Sequence, residues 1–531
     1  MIQMEEVEQQ IQFEMKQAKV PGLAIAIIHE KKLIYAKGFG VTALQESGTA
    51  VMSSTLFRIG SISKLLTATL VMQLVEEGLL NLDVPVCEYI PWFSLKNSAY
   101  NKSLTLRTLL SHRAGFTNGG SYAGNKNPDG LQQHVELELS QIDLDAPPGK
   151  TYSYSNFHFN IAGCVSEAVT GIPFANLIQE YLFKPLNMKL STYDPLIAMT
   201  HSLALPHYQE NDDIRVLHRF IDNPACYPSF FCMSSVTDLA KFALLHLNNG
   251  KTGDKRLLQP ETVEEMHQIQ TYLFSTCTNG FGLGFALQED EMSTRFSRHY
   301  GDISSYTADF VLNRESGSAV IIVNNRPFPH NNITKRIFDQ LHITLPKTKI
   351  NKKDLVSNQV SKKLTEVCSG TFFGPSIGLV KLSGEPLQIT INKKQIDLYE
   401  LTEDHFLGFT DNGQQSCSVG VIREHDGSVL FIQVNNNRCY RFTPQEFHSE
   451  SINYQEYCGT YSFQGSPDWK FEISQFESKL MIEADGDTDT LIQIGEDLYT
   501  SEQFGAIKFH RDKEGQVLHF LLHCSWKMNK E

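Results

Sequence analysis

Residues 4–19 place Val7, Ile11, Met15 and Val20 at helical spacing, and Pro21-Gly22 closes that helix. Two apolar runs, 23–28 and 32–36, flank His29-Glu30-Lys31 and predict a β-hairpin. A long apolar run over 65–80 is broken only by Thr67, Thr69, Gln73, Glu76, Glu77 and Gly78. It predicts a buried helix that starts near Ser61 and is capped by Gly78. Further helices are predicted at 104–110, 157–170, 174–183 and 238–247, the last behind a capping box, Ser235-Val-Thr-Asp238. Strand patterns return at 281–287, 307–312 and 319–324, and a helix over 333–341 closes the segment. Strands at both ends with helices between predict an α+β domain over 1–345. Its two ends share one antiparallel sheet, the middle is a helical insert, and their junction is the natural place for a site.

The pattern changes from Pro346. Residues 346–365 are rich in Lys and Ser and read as a linker. Beyond them, short alternating strands repeat. Cys368-Ser-Gly-Thr-Phe returns as Cys458-Gly-Thr-Tyr, and Arg423-Glu-His-Asp-Gly427-Ser-Val-Leu-Phe returns as Arg511-Asp-Lys-Glu-Gly515-Gln-Val-Leu-His. Two tandem small β-barrels follow as the expectation, 366–443 and 444–531, joined through 443–456.

Composition narrows the class. A chain of 531 residues exceeds one core and predicts two to four domains. Hydrophobic residues at 41% and charged residues at 20% are ordinary for a globular protein. A net charge of −14 argues against nucleic acid as a partner. No apolar stretch approaches the ~20 residues a membrane span needs, so no membrane role is expected. Met1-Ile2-Gln3-Met4-Glu5-Glu6 lacks the basic and apolar regions of a secretory signal. The 10 cysteines show no Cys-x-x-Cys or Cys/His ligand spacing, so neither metal nor cofactor is expected. Scattered thiols in apolar runs fit a reducing compartment, and the expected location is the cytoplasm.

Chemistry concentrates in three short motifs. Ser61 and Lys64 form a Ser-x-x-Lys, three apart and so on one helical face. A serine hydroxyl needs a neighbour to take its proton, and a lysine in an apolar helix has its pKa lowered by desolvation. The bland alternative is an N-capping serine. Tyr154-Ser155-Asn156 follows the turn Pro147-Pro-Gly-Lys150 and opens a predicted helix. Tyr154 can act as an acid/base and Asn156 can hold a carbonyl or the lysine; the alternative is a packed tyrosine beside a capping asparagine. His299-Tyr300-Gly301 precedes the 307 strand, and Gly301 would let a substrate approach the backbone. The amide of Asp302 could join that of Ser61 as an oxyanion hole. A second His-x-Gly, His425-Asp426-Gly427, lies in the repeated barrel turn and reads as structural.

Together the three motifs resemble the serine β-lactamase and penicillin-binding-protein superfamily, marked by Ser-x-x-Lys, a Ser-Asp-Asn-type loop and Lys-Thr-Gly. Residues 1–345 are most similar to its esterase and D-peptidase branch, with Tyr-x-Asn and His-x-Gly in the second and third places. The segments Leu109-Leu-Ser-His-Arg-Ala-Gly-Phe116, Pro148-Gly149 and Phe281-Gly-Leu-Gly-Phe285 add to the likeness. The resemblance implies a sheet flanked by helices, Ser61 as nucleophile, Lys64 as its base, Tyr154 as second acid/base, and Asn156 and His299 as substrate-positioning groups. A hydrolase domain followed by two barrels is similar to three-domain D-aminopeptidases, whose barrels shape the cleft and mediate assembly. That implies a small peptide, amide or ester substrate and a homo-oligomer built through the barrels.

Two departures matter. The run Gly301-Asp302-Ile303-Ser304-Ser305-Tyr306 replaces the small residues usual after His-x-Gly. Asp302 would repel a β-lactam carboxylate and attract an ammonium, so weak β-lactamase activity and a preference for free amines are expected; its plain alternative is a solvated turn residue. The segment Pro224-Ala-Cys-Tyr-Pro-Ser-Phe-Phe-Cys232 suggests an aromatic pocket lining, although Phe230-Phe231 also reads as core. His112 reads as a packed helix-end histidine. The expected function is a cofactor-free serine hydrolase of D-aminopeptidase type. A carboxylesterase is the nearest alternative, and a non-catalytic acyl- or peptide-binding protein is the alternative from another class.

Overall fold

The computed structural model describes residues 3–531 apart from 45–47, 121–123, 125, 211–212, 219–220, 275–278, 290–294, 347–351, 356–367, 392–393, 403, 410–412, 414, 424–427, 436, 444–452, 464–465, 485 and 524–525. Most of the expected linker and the His425-Asp426-Gly427 turn therefore lie outside the described residues. The chain divides into two compact units. One comprises Met1–Phe116, Gly124–Tyr272 and Thr278–Lys347; the other comprises Thr348–Glu531 with Thr117–Ala123 and Leu273–Cys277.

The first unit begins with α1 (Met4–Gln17), then the hairpin β1 (Gly22–His29) and β2 (Lys32–Gly40). Its helical insert contains α2 (Ser63–Glu76), α3 (Leu106–Leu110), α4 (Asn156–Thr170) and α5 (Val236–Leu247). The chain then returns to the sheet through β3 (Thr271–Tyr272), β4 (Asn279–Phe281), β5 (Ala286–Glu289), β6 (Arg295–Ile303), β7 (Tyr306–Asn313) and β8 (Ser318–Asn324), ending with α6 (Asn331–Gln340). The sheet order is β2-β1-β8-β7-β6-β5-β4-β3, and every pairing is antiparallel.

Both faces of the central strands are covered, which is why β1 reads as a continuous apolar run. Leu23, Ile25 and Ile27 pack with Val7, Ile11 and Met15 of α1 and Ile333, Ile337 and Phe338 of α6. The opposite pleat meets α5, which lies against β1, β7 and β8. Behind it α2 is buried along its length, from Ser63 to Leu74. Gly78 ends α2 at φ +74°, and the Leu79 N–H reaches back to the Leu74 carbonyl at 3.0 Å, which satisfies the helix terminus.

Several predicted elements shift. Ser61 lies in a one-turn 3-10 segment, Gly60–Ile62, and the α-helix begins only at Ser63. Residues 281–287 form no single strand: Gly282-Leu283-Gly284 turns the chain between β4 and β5, with Gly284 at φ +90°. Ser235 does cap α5 through the Asp238 N–H, but Asp238 turns away to Ser191, the Leu190 amide and Lys241, so the box is half formed. His299-Tyr300-Gly301 lies inside β6, a strand the apolar pattern does not reveal.

The second unit holds two closed eight-stranded barrels. The first runs from β9 (Gly370–Gly374) through β16 (Asn437–Arg441), and the second from β17 (Gly459–Phe463) through β24 (Trp526–Lys530). Inward residues fill each one, Phe372, Ile389, Phe406 and Val419 in the first and Tyr461, Ile482, Phe509 and Phe520 in the second. The repeat in sequence marks one device used twice. Arg423 Nε donates to Asp404 at 2.7 Å, and Arg511 Nε donates to Asp497 at 2.9 Å. In each barrel the arginine ends a strand and the aspartate sits in a neighbouring turn. The eight described cysteines, four in each unit, are free thiols, and six are buried. Among the described residues no single helix is long and apolar enough to cross a membrane.

Candidate active site

The segment before Ser61 is held by backbone. Phe57-Arg58 pairs with Met233-Ser234, and the Ile59 N–H donates to the Cys232 carbonyl at 3.0 Å. Ser63 Oγ donates to the Gly60 carbonyl at 2.8 Å and accepts from the Cys232 N–H at 3.1 Å. Gly60 sits at φ +52°, and a Cβ on it would lie 2.5 Å from the Asp302 nitrogen, so only glycine allows this approach. The turn hands Ser61 to the head of α2, where Lys64 Nζ lies 3.0 Å from Ser61 Oγ.

Lys64 is fully buried. Its ammonium donates to Ser61 Oγ, to Asn156 Oδ1 at 2.6 Å and to the Ser229 carbonyl at 2.9 Å, all neutral acceptors. It lies 4.9 Å from the centroid of the Tyr154 ring and 5.8 Å from that of Phe159. None of the described ion pairs includes Lys64. Desolvation therefore dominates, and the Lys64 pKa is driven well below that of an ordinary lysine. The neutral amine becomes accessible and can take a proton from Ser61.

Tyr154 Oη donates to Ser61 Oγ at 2.7 Å. Burial raises its pKa despite the hydrogen bond to Ser61, and nearby Asp302 adds to the rise. The resting group is a phenol, suited to give a proton to a leaving group. Ser155 caps α4 by accepting from the Phe157 N–H, which sets Asn156 at the first helical position with its side chain on Lys64.

Strand β6 forms the other wall. His299 is buried with its ring 6.2 Å from that of Tyr154. Its Nδ1 donates to the Tyr300 carbonyl at 2.8 Å, which leaves a bare lone pair on a buried Nε2 that has no hydrogen-bond partner among the described residues. Burial, aided by the positive Lys64, lowers its pKa to about 3, so the ring is neutral. Gly301 packs β6 against the Ser61 turn. A Cβ there would lie 2.1 Å from the Ile59 carbonyl oxygen, so the glycine admits the nucleophile turn, backbone against backbone. That packing brings the Asp302 amide nitrogen beside Gly60 and hence toward the Ser61 amide. The Asp302 side chain is exposed and alternates away from His299 and Gly301. Desolvation raises its carboxyl pKa.

The structure thus brings Ser61, Lys64, Tyr154 and Asn156 into direct contact and sets His299, Gly301 and Asp302 beside them. The expected aromatic pocket at 224–232 is corrected: Phe230, Phe231, Cys226 and Cys232 are buried in the core, with Arg58 over the Phe231 ring at 5.2 Å. What that segment gives the site is the Ser229 carbonyl. A main-chain acceptor carries no sequence signal, so only geometry finds it. The role of Phe159, one helical turn from Asn156, was legible only as helix periodicity.

Residues 7–342 match the beta-lactamase family, and the chain belongs to that family. Its fold and membership place it in the β-lactamase/penicillin-binding-protein serine hydrolase superfamily. Penicillin-binding protein 4 of Amycolatopsis lactamdurans is 29% identical over 279 residues, which span 51% of this chain and 72% of that protein. Protein flp of Staphylococcus aureus (strain MW2) is 23% identical over 323 residues, 60% of this chain and 63% of that one. Among solved structures, SurE covers 82% of this chain and 98% of its own at 20% identity and TM-score 0.64. The octameric penicillin-binding protein homologue from Pyrococcus abyssi covers 83% of this chain and 100% of its own at 21% identity and TM-score 0.57.

Proposed function

We propose that this protein is an acyl-enzyme hydrolase that cuts amide bonds in short peptides, in the manner of a D-aminopeptidase. The observation that carries the reading is the contact of Ser61 Oγ with a buried amine and a neutral phenol, Lys64 at 3.0 Å and Tyr154 at 2.7 Å. Neutral Lys64 takes the Ser61 proton as Oγ bonds to the acyl carbon. The carbonyl oxygen becomes an oxyanion held by the amides of Ser61 and Asp302. Tyr154 gives its proton to the leaving nitrogen as the C–N bond breaks, and Lys64 returns one to the phenolate. Water then adds to the ester, losing its proton to the same pair, and Ser61 leaves as the alcohol with the acid released.

Two observations support an amine-bearing peptide over a simple ester. Asp302 forms no ion pair among the described residues and lies close enough to Tyr154 to raise its pKa. SurE, similar in fold, has been solved with D-Leu. The octameric homologue likewise supports assembly into a homo-oligomer. The expected cytoplasmic location stands as part of this proposal.

Hydrolysis of D-Ala and L-Ala p-nitroanilides beside p-nitrophenyl acetate and butyrate tests it, with Ser61→Ala as control. Preference for the D-anilide is the expected result; turnover of esters alone moves the protein to the carboxylesterase reading. Asp302→Asn is expected to raise KM most for amine-bearing substrates, and an equal effect on neutral esters overturns that assignment. Failure of a fluorophosphonate probe to label Ser61, with silence on every substrate, favours a binding protein.

A further inference from the structure

His112 follows α3 and takes a left-handed backbone conformation, φ +55°. A residue other than glycine adopts this only at a cost, so something nearby compensates it. From that position its two acceptors reach one neighbouring segment. The carbonyl accepts from the Ser153 N–H at 2.6 Å, and ring Nδ1 accepts from the Ser155 N–H at 3.2 Å. These bonds bracket Tyr154 on both sides. The His112 and Tyr154 rings lie 4.4 Å apart by centroid, tilted by 39°.

The hydrogen bonds also fix the protons. An amide only donates, so His112 Nδ1 carries a lone pair. Its other neighbour, His158 Nδ1 at 3.1 Å, must therefore supply the hydrogen. His158 Nε2 is then an acceptor, and it receives the Phe116 N–H at 3.3 Å. These three contacts agree with two neutral rings, protonated at His158 Nδ1 and His112 Nε2. Both rings are fully buried, and burial holds the His112 pKa well below its usual value. His112 Nε2 has no hydrogen-bond partner among the described residues, so the polar work of the ring is done at Nδ1.

We propose that His112 is a positioning residue for Tyr154: its carbonyl and Nδ1 clamp the Tyr-Ser-Asn loop, with His158 holding the tautomer, so that the phenol meets Ser61 and Asn156 meets Lys64. This rests on the hydrolase reading above. Misplacing a reacting group by about 1 Å can cost roughly 100-fold in rate.

The test compares His112→Phe, which keeps the ring, with His112→Asn, whose Oδ1 takes the place of Nδ1 and which tolerates the left-handed backbone. His112→Gln carries its oxygen too far out. Readouts are the fluorophosphonate labelling rate of Ser61, kcat and KM on the best substrate of the panel, and the melting temperature. The expected result is a fall of about 100-fold in labelling and kcat for Phe and Gln, KM within about threefold, and recovery to within about threefold by Asn. Wild-type labelling rates in Phe and Gln overturn the proposal and leave the hydrolase reading standing. So does an Asn variant as slow as Gln. A wild-type protein that neither labels nor turns over any substrate overturns both readings; one that turns over without labelling is read by kcat alone. Where Phe fails to fold, the Asn–Gln comparison decides.

Discussion

At the residue scale, the site turns on one unpaired amine. Among the described residues three neutral acceptors and no carboxylate pair with Lys64, so burial outweighs solvation by its neighbours and the charged form is disfavoured. In the proposed mechanism the neutral amine is the base, so kcat/KM should rise with pH on a limb set by Lys64, well under the usual lysine value of 10.5. Lys64→Arg retains charge at every accessible pH and should lose roughly 1,000-fold in activity, together with that limb. A pH–rate profile of both proteins checks this. Ser61, Lys64, Tyr154 and Asn156 were readable because each chemistry needs a particular side chain. The Ser229 carbonyl and the clamp at His112 were not, since one is main chain and the other depends on a backbone angle.

At the element scale, β6 carries half of the site and escaped the apolar pattern for a physical reason. It carries polar residues on both faces, each with its own partner: Arg298 with Asp309 on one face, and Ser297 with His267 on the other. From Ser297 a buried chain continues through His267 and His246 to Thr69, joining β6 to α5 and to the nucleophile helix α2. His246 is held neutral, its pKa lowered by burial to about 3. Its unfolded value is near 6.5, so its contribution is fully present above pH 6.5 and is lost as the pH falls toward 3. Between pH 7.5 and 5 that loss is about 2 kcal/mol, and His246→Gln should reduce the pH dependence of urea unfolding by this amount. The seam between β6 and the nucleophile turn gives a second expectation. Gly301→Ala drives a methyl into the Ile59 carbonyl and should cost about 1–3 kcal/mol while abolishing Ser61 labelling; thermal melting and probe kinetics read the two effects. The hairpin β4–β5 looked like one strand because a glycine turn interrupts an otherwise apolar run.

At the scale of the whole molecule, the repeat in sequence announced two barrels, and the hydrolase motifs announced the sheet and insert. The Asp404 and Asp497 partners are marked only by a short Glu-Asp repeat, Glu403-Asp404 and Glu496-Asp497, whose spacing of 93 differs from the 88 between Arg423 and Arg511, so the pairing was not legible as one repeated string. Arg511 holds a network, with Asp497, Glu456, the Gly515 carbonyl and the Tyr457 ring as neighbours. Arg511→Met should destabilise the second barrel by about 1–3 kcal/mol, measured as a shift of its denaturant midpoint.

The thiols add one practical consequence. Cys226 and Cys232 lie in the core of one unit, Cys417 and Cys439 in that of the other, and burial pushes the thiol pKa of Cys417 and of Cys439 up to about 12. Such groups are inert to alkylation until their surroundings open. The chain therefore carries its own pair of opening clocks. Pulse alkylation across a urea series, read by peptide mass, should mark each unit at its own denaturant concentration, with no residue substituted.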